Sequence, residues 1–258
     1  MSGQRSISTT NGKVFVRMGK VEISEESGLL MNVPEGERCV VDLENQGEVK
    51  IVVEAGAVLE INELYDEGER KVSVRISCER DAVVKRKVIS LCAGGSFSVG
   101  CDLNGEGAEF GSEEVRFSAG AVHAENKIEI LHNASETKSR VEVREALRGS
   151  SRSFTHGRVR IGKEIKNANT FLSAHALLLD EDARARAIPA LEIESADVQA
   201  GHAASVSTVD QDQLFYLMSR GLSRTTAEKE IVKGFLGESE KMNNFIEGKW
   251  QEATMLNE

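Results

Sequence analysis

Short runs in which apolar and polar residues alternate recur from residue 13 to about residue 206, and no other feature constrains the fold as much. Lys13-Val-Phe-Val-Arg17, Glu48-Val-Lys-Ile-Val-Val-Glu54, Lys71-Val-Ser-Val-Arg-Ile-Ser77, Lys127-Ile-Glu-Ile-Leu131, Arg140-Val-Glu-Val-Arg144 and Gly157-Arg-Val-Arg-Ile-Gly162 all carry the pattern. A period of two places apolar side chains on one face of an extended strand and polar ones on the other. Breaks at Gly36, Gly56, Gly68, Gly94-Gly95, Gly105, Gly107, Gly120 and Gly149 separate the runs. Many short strands with few helices predict a mainly β fold, a sandwich, a barrel or a β-solenoid.

A spacing favours the solenoid. Phe154, Phe171 and Ile188 lie 17 residues apart, each closing a run of small and polar residues. The expectation is one coil per step, with the three side chains in one column. After Ser207 the pattern changes. Thr208 or Asp210 is placed to cap a helix through Gln211–Arg220, with Gly221 ending it. Thr225 and Glu228 match a capping box for a second helix that starts near Ser223, carries Ala227, Ile231, Val232, Phe235 and Leu236, and stops at Gly237. Met242, Phe245, Ile246 and Trp250 mark a third amphipathic segment. The chain therefore divides into a flexible 1–12, a β core over 13–207 and a helical subdomain over 208–258. Helices this short must dock on the β core or on a partner.

Composition narrows the function classes. A net charge of −10 argues against nucleic acid as partner, since phosphate neutralisation needs clustered Lys and Arg. The charge is uneven: residues 1–130 carry 23 acids and 15 bases, whereas 131–206 carry 10 and 11. No apolar stretch is long enough to span a membrane and the first ten residues lack the apolar region of a signal peptide, so a cytoplasmic protein is expected. The four cysteines (Cys39, Cys78, Cys92, Cys101) form no metal-ribbon spacing and read as buried small hydrophobes.

Catalytic signatures are absent: no G-x-S-x-G, no H-E-x-x-H, no P-loop and no dinucleotide fingerprint. Gly105-Glu-Gly107 reads as a turn. Asn133-Ala-Ser135 matches a glycosylation sequon, which carries no meaning without a secretory signal. The five histidines (His123, His132, His156, His175, His202) sit in or beside β-runs, where a lone His is usually structural. Carboxylate pairs Glu25-Glu26 and Glu113-Glu114 read as solvated strand ends. Arg140, Arg144, Arg148, Arg152, Arg158 and Arg160 form either a patch for an anionic partner or solubilising edge charge.

Five blocks in fixed order carry a resemblance: His132-Asn-Ala-Ser-Glu-Thr-Lys-Ser139, Ser153-Phe-Thr-His-Gly-Arg-Val159, Pro189-Ala-Leu-Glu-Ile193, Ala196-Asp-Val-Gln-Ala-Gly-His-Ala-Ala-Ser-Val206 and Asp212-Gln-Leu-Phe-Tyr-Leu-Met-Ser-Arg-Gly221. Together they resemble the C-terminal core of the SufB/SufD proteins of the SUF iron–sulfur cluster assembly system, closely over about 130–237 and loosely before. The resemblance implies a right-handed parallel β-helix that pairs with a second one, and a terminal helical domain that docks on a SufC-type ABC ATPase. It implies a non-catalytic scaffold, cytoplasmic and binding neither nucleic acid nor membrane, on which a transient iron–sulfur cluster, with the 4Fe–4S type among the candidates, is built. Asp212, Leu214, Phe215, Tyr216, Met218, Arg220 and Gly221 become the docking residues, against a reading in which Phe215 and Met218 pack on the β-helix.

The ligands depart from the family pattern. A SufB-type protein carries Cys where this chain has Ala174, and Glu where it has Ala203. The SufD-type interface His matches at His202, although a Cys often found two residues earlier is Ala200 here. The chain thus resembles SufD or a short archaeal-type relative, working as a homodimer or beside a SufB-like subunit. His202, with His175 next to the vacated Cys position, is the candidate metal ligand, imidazole being a competent iron ligand. The alternative is a β-solenoid interaction protein that has lost cluster ligation. A β-helix enzyme would need a carboxylate cluster on one face, which the sequence does not suggest.

Overall fold

A computed structural model describes residues 5–9, 12–25, 28–237 and 239–255. The strands in chain order are β1 (Arg5–Thr9), β2 (Gly12–Met18), β3 (Glu22–Glu25), β4 (Leu29–Val33), β5 (Arg38–Glu44), β6 (Glu48–Val53), β7 (Val58–Tyr65), β8 (Gly68–Cys78) and β9 (Val83–Leu91). They continue as β10 (Ala93–Leu103), β11 (Glu109–Ser118), β12 (His123–His132), β13 (Lys138–Leu147), β14 (Arg152–Ile161), β15 (Ala168–Leu178), β16 (Arg184–Ile193) and β17 (Val198–Thr208). Three helices follow: α1 (Gln211–Ser219), α2 (Arg224–Leu236) and α3 (Glu240–Met255).

From β4 onward the strands deal alternately into two sheets. One sheet runs β1-β2-β5-β7-β9-β11-β13-β15-β17, and the other runs β16-β14-β12-β10-β8-β6-β4-β3. All pairings from β4 on are parallel, which makes a two-sheeted β-solenoid; β1, β2 and β3 add antiparallel strands at its N-terminal end. Of the segment expected to be flexible, 1–12, residues 1–4, 10 and 11 lie outside the described residues, while Arg5–Thr9 form β1 and Gly12 opens β2.

The 17-residue step is not a coil. Phe154 on β14 pairs with Arg186, and Phe171 on β15 pairs with Gly201, so Phe154, Phe171 and Ile188 alternate between the sheets. A full coil carries one strand of each sheet: Val58 pairs with Val83 and Lys138 with Asn169, steps of 25 and 31 residues. The repeat that does stack is a corner. Gly36, Gly56, Asp81, Gly107, Glu136 and Asn167 all take left-handed φ between +54° and +77°. Each N–H donates to a carbonyl of the next coil, Gly56 to Arg80 and Gly107 to Ser135 among them. The residue after five of these corners is small and fully enclosed: Ala57, Ala82, Ala108, Thr137 and Ala168. Step lengths that drift from 20 to 31 residues hid this column from a fixed-period reading.

Alternation then places one set of side chains in the lumen. Met31, Ile51, Ile61, Ile76, Leu103, Ile128 and Ile130 are fully buried there, each burial stabilising by about 1.5–3 kcal/mol. The helices do dock on the β core. Leu214, Ala227, Val232, Leu236, Met242, Ile246 and Trp250 pack with Leu64, Leu91, Phe117, Ala146 and Leu177 of the β1–β17 sheet. Asp210 caps α1 through Asp212 N–H and Gln213 N–H. Ser223, not Thr225, caps α2, and its Oγ accepts from Thr226 N–H. Gly221 and Gly237 follow the last turns with φ of +96° and +89°.

Candidate functional site

The two candidate ligands lie on neighbouring strands but on opposite faces. Leu172 of β15 pairs with His202 of β17, and His175 pairs with Ser205. Leu172 and Ala174 belong to the lumen core, so His202, in line with Leu172, faces the lumen. His175 is odd in the same alternation and faces outward, its Nδ1 sharing a 2.8 Å hydrogen bond with Ser205 Oγ. The structure therefore does not bring His175 and His202 together. Ala174, 2% exposed, packs within the lumen in register with Ala204, while Ala203 alternates to the outer face.

The coil that holds His202 is the last. β16 and β17 end their sheets, each with one hydrogen-bonded neighbour, so their backbone edges and the lumen end face solvent. His202, Ala204 and Val206 are exposed for that reason, although the same column positions one coil earlier, Leu172, Ala174 and Ala176, are buried.

The cysteines lie elsewhere. All four are buried, and Cys78 and Cys101 bring their Sγ atoms to 3.9 Å in the lumen wall. Burial, with Cys78 alongside, pushes the Cys101 thiol well up, and burial raises that of Cys39 as well. Protonated thiols are poor metal ligands and nucleophiles. Among the described residues no group of three or more His, Cys, Asp or Glu is placed to hold a metal ion.

The residues of α1 divide by face. Leu214 is buried against the solenoid. Asp212, Phe215, Tyr216, Met218, Arg220 and Gly221 are exposed, with Phe215 at 74% and Tyr216 at 57%. The alternative in which Phe215 and Met218 pack on the β-helix is not what the structure contains. The Arg220 guanidinium sits 5.2 Å from the Tyr216 ring centre and presents ring and charge together.

Charged residues inside the lumen were not foreseen. Glu114, expected at a solvated strand end, is 2% exposed and lies in the core; of the Glu25-Glu26 pair, Glu26 is outside the described residues. Arg86 holds Glu63 with two hydrogen bonds, and through Nη1 reaches Ser112 and Glu114. Arg116 Nη2 donates to Glu114, and Tyr65 Oη to Glu63. Burial works against the Glu114 carboxylate, but Arg86 and Arg116 outweigh it and hold its pKa below the usual range. Glu145 has no such pairing; burial raises its pKa, and Ser153 Oγ donates to it. The signal was present in the parity of β9, where Arg86 sits midway between the lumen residues Val84 and Val88. On the outer face, by contrast, Arg144, Arg158 and Arg160 pair with Glu142, Glu129 and Glu192, and Glu194.

At a lumen corner His132 is satisfied at both nitrogens. Thr137 Oγ1 donates to the Ala134 carbonyl, so it accepts from His132 Nδ1–H, and Nε2 accepts from Ser139. Burial lowers its pKa to about 4, so the ring is neutral. His132 is therefore a structural residue.

Among the described residues no helix is long and apolar enough to cross a membrane. The family model for the SUF system FeS cluster assembly SufBD core domain matches residues 32–235. An iron–sulfur cluster assembly SufBD family protein of Mycobacterium leprae is 35% identical over 134 residues, covering 52% of this chain and 15% of the relative. A second M. leprae protein of that description is 32% identical over 204 residues, covering 74% of this chain and 52% of its own length. A Staphylococcus epidermidis SufBD family protein is 31% identical over 136 residues, covering 53% and 29%. The matches thus span from about a seventh to about half of the relatives' length.

Proposed function

Because the chain belongs to the SufBD core family of the SUF iron–sulfur cluster assembly system, we propose that it is a non-catalytic scaffold subunit of a cytoplasmic assembly complex. It pairs through the open end of its β-solenoid and carries an ABC-type ATPase of the SufC kind on α1. The observation that carries this reading is the unclosed last coil. Both sheets stop at edge strands, and an open edge is a template for further strand pairing. A second solenoid set end to end would continue both sheets and enclose the exposed lumen residues.

His202 stands in that end, facing the lumen. One imidazole cannot hold a cluster, so the transient iron–sulfur cluster takes its other ligands from the paired subunit, a second copy or a SufB-like chain. The exposed face of α1, with Phe215, Tyr216, Met218 and Arg220, offers aromatic and cationic anchors of the kind enriched at interfaces. Ala174 favours a second reading: its position is packed in apolar core and supplies no ligand, as in a solenoid that associates without holding a cluster.

One experiment separates the readings. The chain is co-expressed anaerobically with a SufC-type ATPase, with and without a SufB-like subunit, and iron, sulfide and visible absorption are measured for wild type, His202→Ala and His175→Ala. Loss of iron and sulfide in His202→Ala alone supports the scaffold with its ligand. A stable complex that never holds iron or sulfide selects the second reading. If no ATPase binds and no pairing occurs, both fail.

A further inference from the structure

Among the described residues, one place in the lumen leaves hydrogen-bonding groups of both walls without partners. Arg116, its side chain 5% exposed, uses only Nη2; its Nε and Nη1 are buried and make no hydrogen bond. Asn126, 3% exposed, donates from Nδ2 to Thr155 Oγ1 at 3.1 Å, while its Oδ1 is buried and accepts nothing. Both residues line one cavity of about 10 Å³, together with Arg86, Glu114, Val72, Phe97, Val99 and Ile128. The Arg116 Cζ sits over the Phe97 ring, 4.6 Å from its centre, and this contact helps hold the charge in place.

A buried donor and a buried acceptor without partners, on residues that line the same small space, each forfeit a hydrogen bond if that space holds no water. We infer that this cavity is a binding site for a single structural water, which accepts from Arg116 and donates to Asn126 Oδ1. The volume suits one such molecule and nothing larger.

Charge decides between water and an ion. Arg86 and Arg116 contact Glu63 and Glu114, and Glu145 adds a third carboxyl group to the lumen. An added anion would leave the lumen with an excess negative charge and would bring no hydrogen to Asn126 Oδ1. A cation would face the Arg116 guanidinium. Water alone answers both orphaned groups and adds no charge.

The water completes a path. Hydrogen bonds then run without a gap from Tyr65 through Glu63, Arg86, Glu114 and Arg116 on one sheet to Asn126 and Thr155 on the other. The water is the tie between the two walls of the lumen at this level.

The test is a crystal structure of the wild-type chain at a resolution that shows ordered water, from crystals soaked with and without sodium bromide. A peak within hydrogen-bonding distance of Asn126 Oδ1 and of Arg116 Nε or Nη1, without bromide anomalous signal, is the expected result. An empty cavity overturns the inference, and so does a bromide peak there, which would make it an anion site. Asn126→Leu removes the acceptor and puts bulkier methyl groups in its place, so its melting temperature is expected to fall and the peak to vanish. A peak that persists in that variant also counts against the assignment. If the variant does not fold, the wild-type maps decide.

Discussion

Glu63 and Arg86 stand on adjacent coils and close a two-armed ion pair inside the lumen, with Nε to Oε1 at 2.6 Å and Nη2 to Oε2 at 2.8 Å. Neither side chain is more than 4% exposed. Such a pair adds little over an apolar replacement of both partners, yet removing one leaves a buried charge without compensation. Arg86→Met is therefore expected to cost about 3–5 kcal/mol in urea unfolding, because it strands Glu63 and weakens the hold on Glu114. Glu63→Leu combined with Arg86→Met should recover part of that loss. A neutral Arg86→Met would mean that the carboxylates are not enclosed as described.

Acid should destabilise the fold through His132. Its folded pKa is about 4 against an ordinary value of 6.5. Between those values the unfolded chain binds the extra proton, so stability falls on acidification through that range and levels off below it. The whole loss is about 3 kcal/mol. Unfolding measured across that pH range should show a slope that flattens in His132→Gln. An unchanged slope would assign the sensitivity to the carboxylates.

On α1, burial predicts opposite outcomes for adjacent residues. Phe215→Asp should leave the melting temperature nearly unchanged, since the side chain is 74% exposed, while co-purification with the ATPase is lost. Leu214→Asp places a charge in the contact with the solenoid and should cost several kcal/mol or prevent folding. A Phe215→Asp chain that still binds the ATPase would remove α1 as the docking face.

The stacked corners can be tested by adding one carbon. A Cβ at Gly36, φ +68°, meets nothing within 4 Å, so Gly36→Ala should cost only the left-handed strain, about 1–2 kcal/mol. At Gly107, φ +77°, the same atom would lie 2.2 Å from Asp81 Oδ1 of the preceding coil. Gly107→Ala should therefore cost more than Gly36→Ala in thermal unfolding, by whatever the displaced Asp81 contributes.

The strands, their alternation and the start of the helical subdomain were legible in the sequence, because each depends on neighbours within a few residues. The capping of α1 by Asp210 was legible for the same reason. The coil length was not. Phe154 and Phe171 mark a half-coil, and the true corners, from Gly36 to Asn167, recur at unequal steps, so no single period finds them. Glu114 was misplaced because charge suggests solvent, whereas its position in β11, two residues from Ser112 opposite Arg86, puts it in the lumen within reach of Arg86.

For the candidate site the division is sharper. Local sequence determined that residues 198–208 form a strand with His202 on one face of it, since a strand's side chains alternate wherever it lies. Only the tertiary structure decided that this face is the lumen, that β17 is the last strand of its sheet, and that His175 turns away from His202. Which residue shares a wall with which depends on pairings 20 to 32 residues apart, and those are set by how the coils stack rather than by any local pattern.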